Sequence, residues 1–155
     1  MSENTMEWVY PKAGAKEEDI QAFLSKITYT LPQPFIDLMK VCDGGMPIIS
    51  AFKYEDNHFG EIECDLGSFL SFERRIDGLW RLFTDPPEFF PEGILAFAVT
   101  GNGDYICFDY RTNPTSNNPP VVYWSHEAST EESISFIAKT FDDFMDMLYE
   151  DEDDE

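Results

Sequence analysis

Residues 94–110 carry the sequence ILAFAVTGNGDYICFDY, in which two apolar runs flank the turn Thr100-Gly101-Asn102-Gly103-Asp104. Each run is short and rich in aromatic or β-branched residues, which is typical of the two strands of a β-hairpin. Neither run alternates between apolar and polar residues, so we expect both faces of these strands to be covered. The pattern therefore predicts a hairpin at the middle of a sheet.

The glycine-rich turn of this hairpin has a functional and a structural interpretation. A glycine loop can bind a phosphate or a cation, but no dinucleotide Gly-x-Gly-x-x-Gly pattern or P-loop lysine follows, and the next element is a strand. In the structural interpretation, Gly101, Asn102 and Gly103 can take positive φ and Asp104 accepts hydrogen bonds from turn amides. We favour the structural interpretation, with Gly101, Gly103 and Asp104 as the residues that form the turn.

Two helices are predicted upstream of the hairpin, over 15–27 and from Pro34 onward, separated by the helix-breaking Leu-Pro-Gln-Pro at 31–34. Their apolar stripes are formed by Ile20, Phe23, Leu24 and Ile27 and by Phe35, Leu38, Met39 and Cys42. Gly44 or Gly45 is expected to be the left-handed C-cap of the second helix. We expect Trp8, Val9 and Tyr10 to dock the preceding arm onto the body.

Strands are predicted at 48–54 and 61–66, joined by a polar turn. The second strand has acidic residues at odd positions and apolar residues at even positions, which is typical of a half-buried strand with an acidic outer face. Five acidic residues in this region are candidate partner-binding residues: Glu55, Asp56, Glu61, Glu63 and Asp65. Acids on a strand usually only solvate a face, but crowded like charges repel, so we weigh a contact surface equally against a solvated face.

Two apolar segments lie between this strand and the hairpin. Residues 73–83 fit a short helix with Ile76, Leu79, Trp80 and Phe83 on one side, although Gly78 weakens the pattern. Phe89 and Phe90 lie in a proline-flanked loop, where they form either a lid over the core or an exposed anchor.

After the hairpin, a polar loop at 111–120 precedes a strand at 121–125. The segment from Ser133 is either one long helix or a short extended piece at 134–138, followed by a helix with Thr140 as N-cap and Asp143 at N3. We favour the second interpretation. Residues 150–155 are six consecutive acids, expected to form a disordered tail, so we expect a single domain at 1–149 and a tail at 150–155.

The net charge of −21 in 155 residues limits the possible partners. Phosphates would be repelled, so nucleic acid is a poor direct partner and a basic protein is a favourable one. Three widely spaced cysteines fit a reducing cytoplasm. The sequence has neither a leader-like segment nor a long apolar run, so we expect a soluble, cytoplasmic protein.

The sequence contains no pattern typical of an enzyme. His58 and His126 are far apart, no Cys-x-x-Cys occurs and the serines lack a nucleophile elbow, so we predict no catalytic residue, no metal and no cofactor. His126-Glu127 could be an acid–base pair, but neighbouring strand residues point to opposite faces. We therefore interpret His126 as a histidine at the end of a strand.

The ordered set of patterns resembles the SUKH superfamily, in its Smi/Knr branch. The resemblance rests on an amphipathic helix, Leu-Pro, a helix ending in Gly-Gly, the Gly-Asn-Gly-Asp turn, Val-Val-Tyr-Trp with His-Glu at 121–127, and IAKTFDDF at 137–144. It spans about residues 15–148.

The elements predict an α+β fold, in which a mostly antiparallel sheet with 94–99 and 105–110 at its centre is flanked by the N-terminal helices and a C-terminal helix. The resemblance implies a non-catalytic immunity protein that occludes a basic toxin, often a nuclease, and we expect it to be a monomer or weak dimer. The alternative implied by eukaryotic members is a regulatory or scaffolding interaction module.

Overall fold

The computed structural model describes residues 7–57, 59–74, 78–126 and 133–150. The described residues form α1 (Glu17–Lys26), α2 (Gln33–Val41), β1 (Ala51–Asp56), β2 (Gly60–Phe69), α3 (Leu79–Thr84), β3 (Ile94–Thr100), β4 (Tyr105–Asp109), β5 (Val121–Trp124), β6 (Ile134–Ala138) and α4 (Phe141–Met147). The strands make one antiparallel sheet in the order β1-β2-β3-β4-β5-β6. The predicted α+β fold, with helices from both ends of the chain beside an antiparallel sheet, is confirmed.

The β3–β4 hairpin lies at the middle of the sheet, as predicted, and both strands are largely buried. On one face, Phe97 stacks on Phe108 at 4.2 Å, and both rings meet Phe35 of α2 and Phe141 of α4 edge-on. Such aromatic pairs add about 0.5–1.5 kcal/mol each to the stabilisation from buried area. On the opposite face, Phe90 packs edge-on against Trp124 of β5, and α3 contacts both β3 and Phe23 of α1.

Strand β2 changes its pairing partner along its length. Residues 60–65 pair with β1, whereas 66–69 pair with β3, and the register shifts at Gly67. A Cβ at Gly67 would lie 2.9 Å from the carbonyl oxygen of Val99, so glycine allows this close approach of the two backbones. The irregularity marks the point where β2 leaves the main sheet.

The β1–β2 hairpin curls toward the far edge of the sheet. In its turn, the side chain of Asn57 donates a hydrogen bond to the carbonyl oxygen of Ile134 at 2.5 Å, and its backbone N–H donates to Ser135 Oγ at 3.2 Å. Both acceptors belong to β6, so the two outer strands meet at this end.

Helices α1 and α2 lie where the stripes predict them, with Ile20, Phe23, Phe35 and Met39 fully buried. The predicted glycine C-cap of α2 is wrong, because the cap is the extended residue Cys42.

Gly44 is left-handed, with φ of 71°, but it lies in the turn beyond the cap. The chain leaves the helix axis earlier because the N–H of Asp43 donates to the carbonyl of Ala13 at 3.0 Å rather than to the helix.

The first strand begins at Ala51, three residues later than predicted. The residues before it pair instead with the N-terminal arm, since Val9 N–H donates to the carbonyl of Met46 at 2.8 Å and Ile48 N–H donates to that of Glu7 at 3.0 Å. This long-range pairing takes the place of the predicted extension of β1.

The N-terminal arm docks through two of its three predicted anchors, Trp8 by its ring and Val9 by its backbone. The ring of Trp8 packs edge-on against Phe69 with centroids 6.1 Å apart. Val9 docks through its backbone N–H while its side chain is exposed, and the expectation is wrong for Tyr10, whose side chain is exposed.

Helix α3 is shorter than the predicted helix, and Ile76 lies outside the described residues. The two interpretations of the aromatic pair each hold for one residue. Phe90 covers Trp124 at 5.1 Å, as a lid would, whereas Phe89 is 70% exposed and has φ of 69°.

The favoured interpretation of the C-terminal segment is confirmed. Residues 134–138 are β6, and Thr140 caps α4 by accepting the N–H of Asp143 at 3.1 Å. Of the predicted tail, only Glu150 is among the described residues, so the domain limit and the disordered tail stay predictions. His58 and Glu127 also lie outside the described residues.

Candidate functional site

The predicted acidic face lies on the β1–β2 hairpin. The three acidic side chains of β2 are exposed, whereas the apolar residues between them are partly or fully buried, which confirms the predicted alternation. The cross-strand register places Glu55 opposite Glu61, Lys53 opposite Glu63 and Ala51 opposite Asp65. We name the four exposed carboxylates Glu55, Glu61, Glu63 and Asp65 the acidic ladder.

Asp56, the fifth candidate, is not part of this ladder. It alternates with Glu55 along β1 and therefore lies on the other face of the hairpin. Its carboxylate accepts hydrogen bonds from the Tyr54 hydroxyl at 3.3 Å and from the N–H of Phe59 at 3.1 Å. Asp56 therefore stabilises the turn between the two strands.

Glu63 has neighbours that reduce the repulsion within the ladder. Lys53 is its cross-strand partner, and the hydroxyl of Tyr149 donates a hydrogen bond to it. Tyr149 is held there by two backbone hydrogen bonds to Ala51, of 2.9 and 3.1 Å. The Lys53 ammonium lies 6.0 Å from the Tyr149 ring centroid, which adds a weak cation–π attraction.

Glu55 and Glu61 face each other without such compensation. Both side chains are exposed, and neither forms an ion pair with any of the described residues. Directly opposed like charges destabilise a strand pair by roughly 0.2–1 kcal/mol. The ladder therefore concentrates uncompensated negative charge at its turn end, and this arrangement costs stability.

The turn of the central hairpin is closed by its backbone and by Thr100. Thr100 N–H donates to the carbonyl of Asp104 at 2.9 Å, and Asp104 N–H donates to Thr100 Oγ1 at 3.1 Å. Gly103 has φ of 92°, as predicted, but Gly101 does not adopt positive φ. The expected left-handed conformation is confirmed for Gly103 alone.

The side chain of Asp104 does not bond to turn amides, so that expectation is wrong. It is 5% exposed and reaches across to the end of β5. Its Oδ1 accepts the N–H of His126 at 3.0 Å and lies 2.5 Å from His126 Nδ1, and its Oδ2 accepts the Tyr123 hydroxyl at 2.5 Å. These bonds tie the turn to the segment that leaves β5.

Burial raises the pKa of two groups near Asp104, the Tyr123 phenol and the Cys64 thiol. Burial raises the pKa of Tyr123 well above its usual value, and its hydrogen bond to Asp104 raises it further by favouring the neutral phenol. Cys64 Sγ lies 3.7 Å from the Tyr123 hydroxyl, and burial raises the pKa of this thiol as well. A protonated thiol is a poor nucleophile, and the hydrogen bonds of this cluster join the turn of the central hairpin to β5.

Two other tyrosines are buried in the same way. Tyr54 stacks on Tyr123 at 4.4 Å, and the Tyr110 hydroxyl donates to the carbonyl of Thr30 at 2.6 Å. Burial raises the pKa of both phenols. We refer to Tyr54, Tyr110 and Tyr123 as the buried tyrosines.

His126 lies just beyond β5, which confirms its interpretation as a strand-end histidine. Sequence reasoning missed its acidic partner, Asp104, which is 22 residues away in the chain. To predict this pair, one would need the register between β4 and β5, which the polar loop at 111–120 does not specify. The register between β1 and β2, which places Glu55 opposite Glu61, is easier to infer because a short turn joins these strands.

No arrangement of His, Cys, Asp and Glu suited to a metal ion occurs among the described residues. Cys42, Cys64 and Cys107 are all unpaired thiols. None of the described helices has the length and apolar character needed to cross a bilayer.

Comparison with known proteins places this fold in context. The model of the SMI1 / KNR4 family (SUKH-1) matches residues 14–147, which run from just before α1 to the last residue of α4. No curated protein matches the chain. The match covers all ten helices and strands of the described residues, and the acidic ladder lies within it.

Proposed function

Because this chain belongs to the SMI1 / KNR4 family (SUKH-1), we propose that it is a non-catalytic immunity protein that binds and occludes a basic toxin, a nuclease domain. It would act in the cytoplasm as a monomer or weak dimer, without a cofactor. The observation that carries the proposal is the uncompensated pair Glu55 and Glu61 at the exposed end of the acidic ladder.

The charge of the chain supports a basic partner. A nuclease needs a positive surface to hold phosphates, and a protein of net charge −21 can compete for that surface. Repulsion within the ladder lowers the folding stability of the unbound protein, and cations of a partner that lie against the ladder would relieve this repulsion. Binding would thus recover the free energy that the opposed carboxylates cost.

The ladder is also suitably placed for contact. Its strands are held from behind by buried residues, including Phe52 and Leu66, so the carboxylates sit on a fixed backbone. Asn57 and Tyr149 tie the hairpin to β6 and to the C-terminal segment. A rigid surface loses little conformational freedom on binding, which favours affinity.

The test uses the toxin domain encoded beside this chain's gene as the ligand. The double variant Glu55→Lys with Glu61→Lys reverses the uncompensated end of the ladder. The matched control, Asp37→Lys with Asp146→Lys, makes the same charge change at exposed positions of α2 and α4. We expect the ladder variant to slow association at low salt by about tenfold or more, because electrostatic steering acts mainly on the association rate.

The control should slow association much less, and cells that carry the toxin should lose protection only with the ladder variant. Equal slowing by both variants would assign the effect to overall charge and remove the ladder from the proposal. A neighbouring gene product that binds but is not toxic to cells would indicate a regulatory interaction module instead.

A further inference from the structure

A basic cleft lies between α1 and α3, on elements that do not contribute to the acidic ladder. It is open to solvent, with a volume of about 720 Å³, and it is lined by Lys26, Arg74, Arg81 and Trp80 together with small side chains. The chain has ten basic residues in all, against 31 acidic ones. Three of the ten line this one cleft, which is therefore positively charged in an otherwise acidic protein.

The cations of the cleft have little neutralisation of their own. Among the described residues, no carboxylate forms an ion pair with Lys26 or Arg74. Arg81 lies 3.5 Å from Asp85, but both side chains are largely exposed, and such a pair is weak enough to be exchanged for another partner.

Arg74 is oriented by stacking. Its guanidinium lies 3.9 Å from the ring of Trp80, and Trp80 is itself held edge-on against the buried Phe23 at 5.4 Å. A guanidinium that stacks on an aromatic face keeps the N–H groups at its edge available for a carboxylate. The stack therefore presents a preorganised donor at one wall of the cleft.

The hydroxyls of the cleft do not compete with these cations as donors. Ser25 Oγ donates to the carbonyl of Ala22 at 2.8 Å, and Thr84 Oγ1 donates to that of Trp80 at 2.8 Å. Recognition in the cleft would therefore depend on the three charged side chains and on the apolar surface of Trp80.

We propose that this cleft binds an extended acidic peptide segment of a partner protein, with glutamate or aspartate side chains against Lys26, Arg74 and Arg81. The three cations come from separate segments around a cleft much larger than one oxyanion, so they suit several spaced carboxylates. The open shape favours a peptide over a small molecule, which needs an enclosing pocket.

The experiment measures fluorescence anisotropy of a labelled peptide of six glutamates with the full chain, and a peptide of six glutamines serves as the uncharged control. Lys26→Glu reverses one cation of the cleft on the exposed side of α1. Lys139→Glu makes the same charge change at an exposed position between β6 and α4. We expect saturable binding that Lys26→Glu weakens by about tenfold and Lys139→Glu by less than about twofold.

A second variant, Arg74→Lys, keeps the charge but removes the fork that stacks on Trp80. We expect it to weaken glutamate-peptide binding by about threefold, with an unchanged melting temperature as evidence of folding. The proposal is overturned if glutamate peptide does not bind at roughly millimolar concentration, if both lysine reversals weaken binding equally, or if a single-stranded oligonucleotide binds more tightly. Toxin binding through the ladder does not depend on any of these outcomes.

Discussion

Replacing Glu61 by lysine should stabilise the fold, whereas the same replacement at Glu63, two residues along the strand, should destabilise it. Glu61 faces Glu55, so Glu61→Lys turns a repulsive cross-strand pair into an attractive one. Glu63 faces Lys53 and accepts a hydrogen bond from the Tyr149 hydroxyl. Glu63→Lys therefore places two cations opposite each other and removes that hydrogen bond.

The expected magnitudes follow from these partners. An exposed cross-strand charge pair contributes about 0.2–1 kcal/mol, so reversing its sign at Glu61 should raise the free energy of unfolding by about 0.5–1 kcal/mol. At Glu63 the same reversal should lower it by a similar amount, and the lost hydrogen bond adds about 0.5 kcal/mol. The two variants should differ by about 1.5–2.5 kcal/mol, or roughly 3–10 °C in melting temperature.

Urea unfolding followed by circular dichroism measures this difference between two variants of identical composition and net charge. The difference should shrink in about 1 M salt, where the screening length is about 3 Å. A shift of both variants in the same direction, or a gap that salt leaves unchanged, would refute the argument from cross-strand partners. If the ladder binds a basic partner, Glu61→Lys should also bind that partner more weakly despite its greater stability.

Three further predictions concern the central turn and the buried tyrosines. Gly103→Ala should lower the free energy of unfolding by about 1 kcal/mol, because Gly103 has φ of 92°. Gly101→Ala should leave the urea midpoint unchanged, because Gly101 does not have positive φ and an added Cβ there would contact no other atom. Asp104→Ala should lower it by about 2–4 kcal/mol, since the Tyr123 hydroxyl and the His126 N–H lose their acceptor; a loss below about 0.5 kcal/mol in the same titration would contradict the network. Above about pH 10, the native state keeps phenol protons that the unfolded chain releases, because burial raises the pKa of the three phenols. The free energy of unfolding should therefore fall by up to about 1.4 kcal/mol per pH unit for each buried tyrosine. Tyr123→Phe removes one of the three phenols, so it should reduce this slope by up to about 1.4 kcal/mol per pH unit.

The parts of the fold that depend on local chemistry could be predicted from the sequence. Thr140 and Asp143 form a cap within one helical turn, and the alternation at 61–66 follows from the two-residue period of a strand. The β3–β4 hairpin is fixed by adjacent apolar runs and a glycine turn. In each case the residues that decide the structure lie within a few positions of one another.

The rest depends on contacts between distant segments. The start of β1 at Ala51 is set by the N-terminal arm, and the carboxylate of Asp104 finds its partners across the loop at 111–120. Lys53 and Tyr149 join the acidic ladder only through strand register and the path of the C-terminal segment. No local pattern specifies these pairings, so the sequence predicted an acidic face but not the residues that moderate its charge.

The consecutive order of the strands has a consequence for synthesis of the protein. Each strand pairs with its neighbour in the chain, so the sheet can form progressively as the polypeptide emerges from the ribosome. The aromatic core cannot, because Phe97 and Phe108 are covered by Phe141, which is translated more than thirty residues after them. A nascent chain that has completed β5 can cover this aromatic surface with Phe35 of α2 but not yet with α4, so until α4 is made the exposed part of the surface favours aggregation.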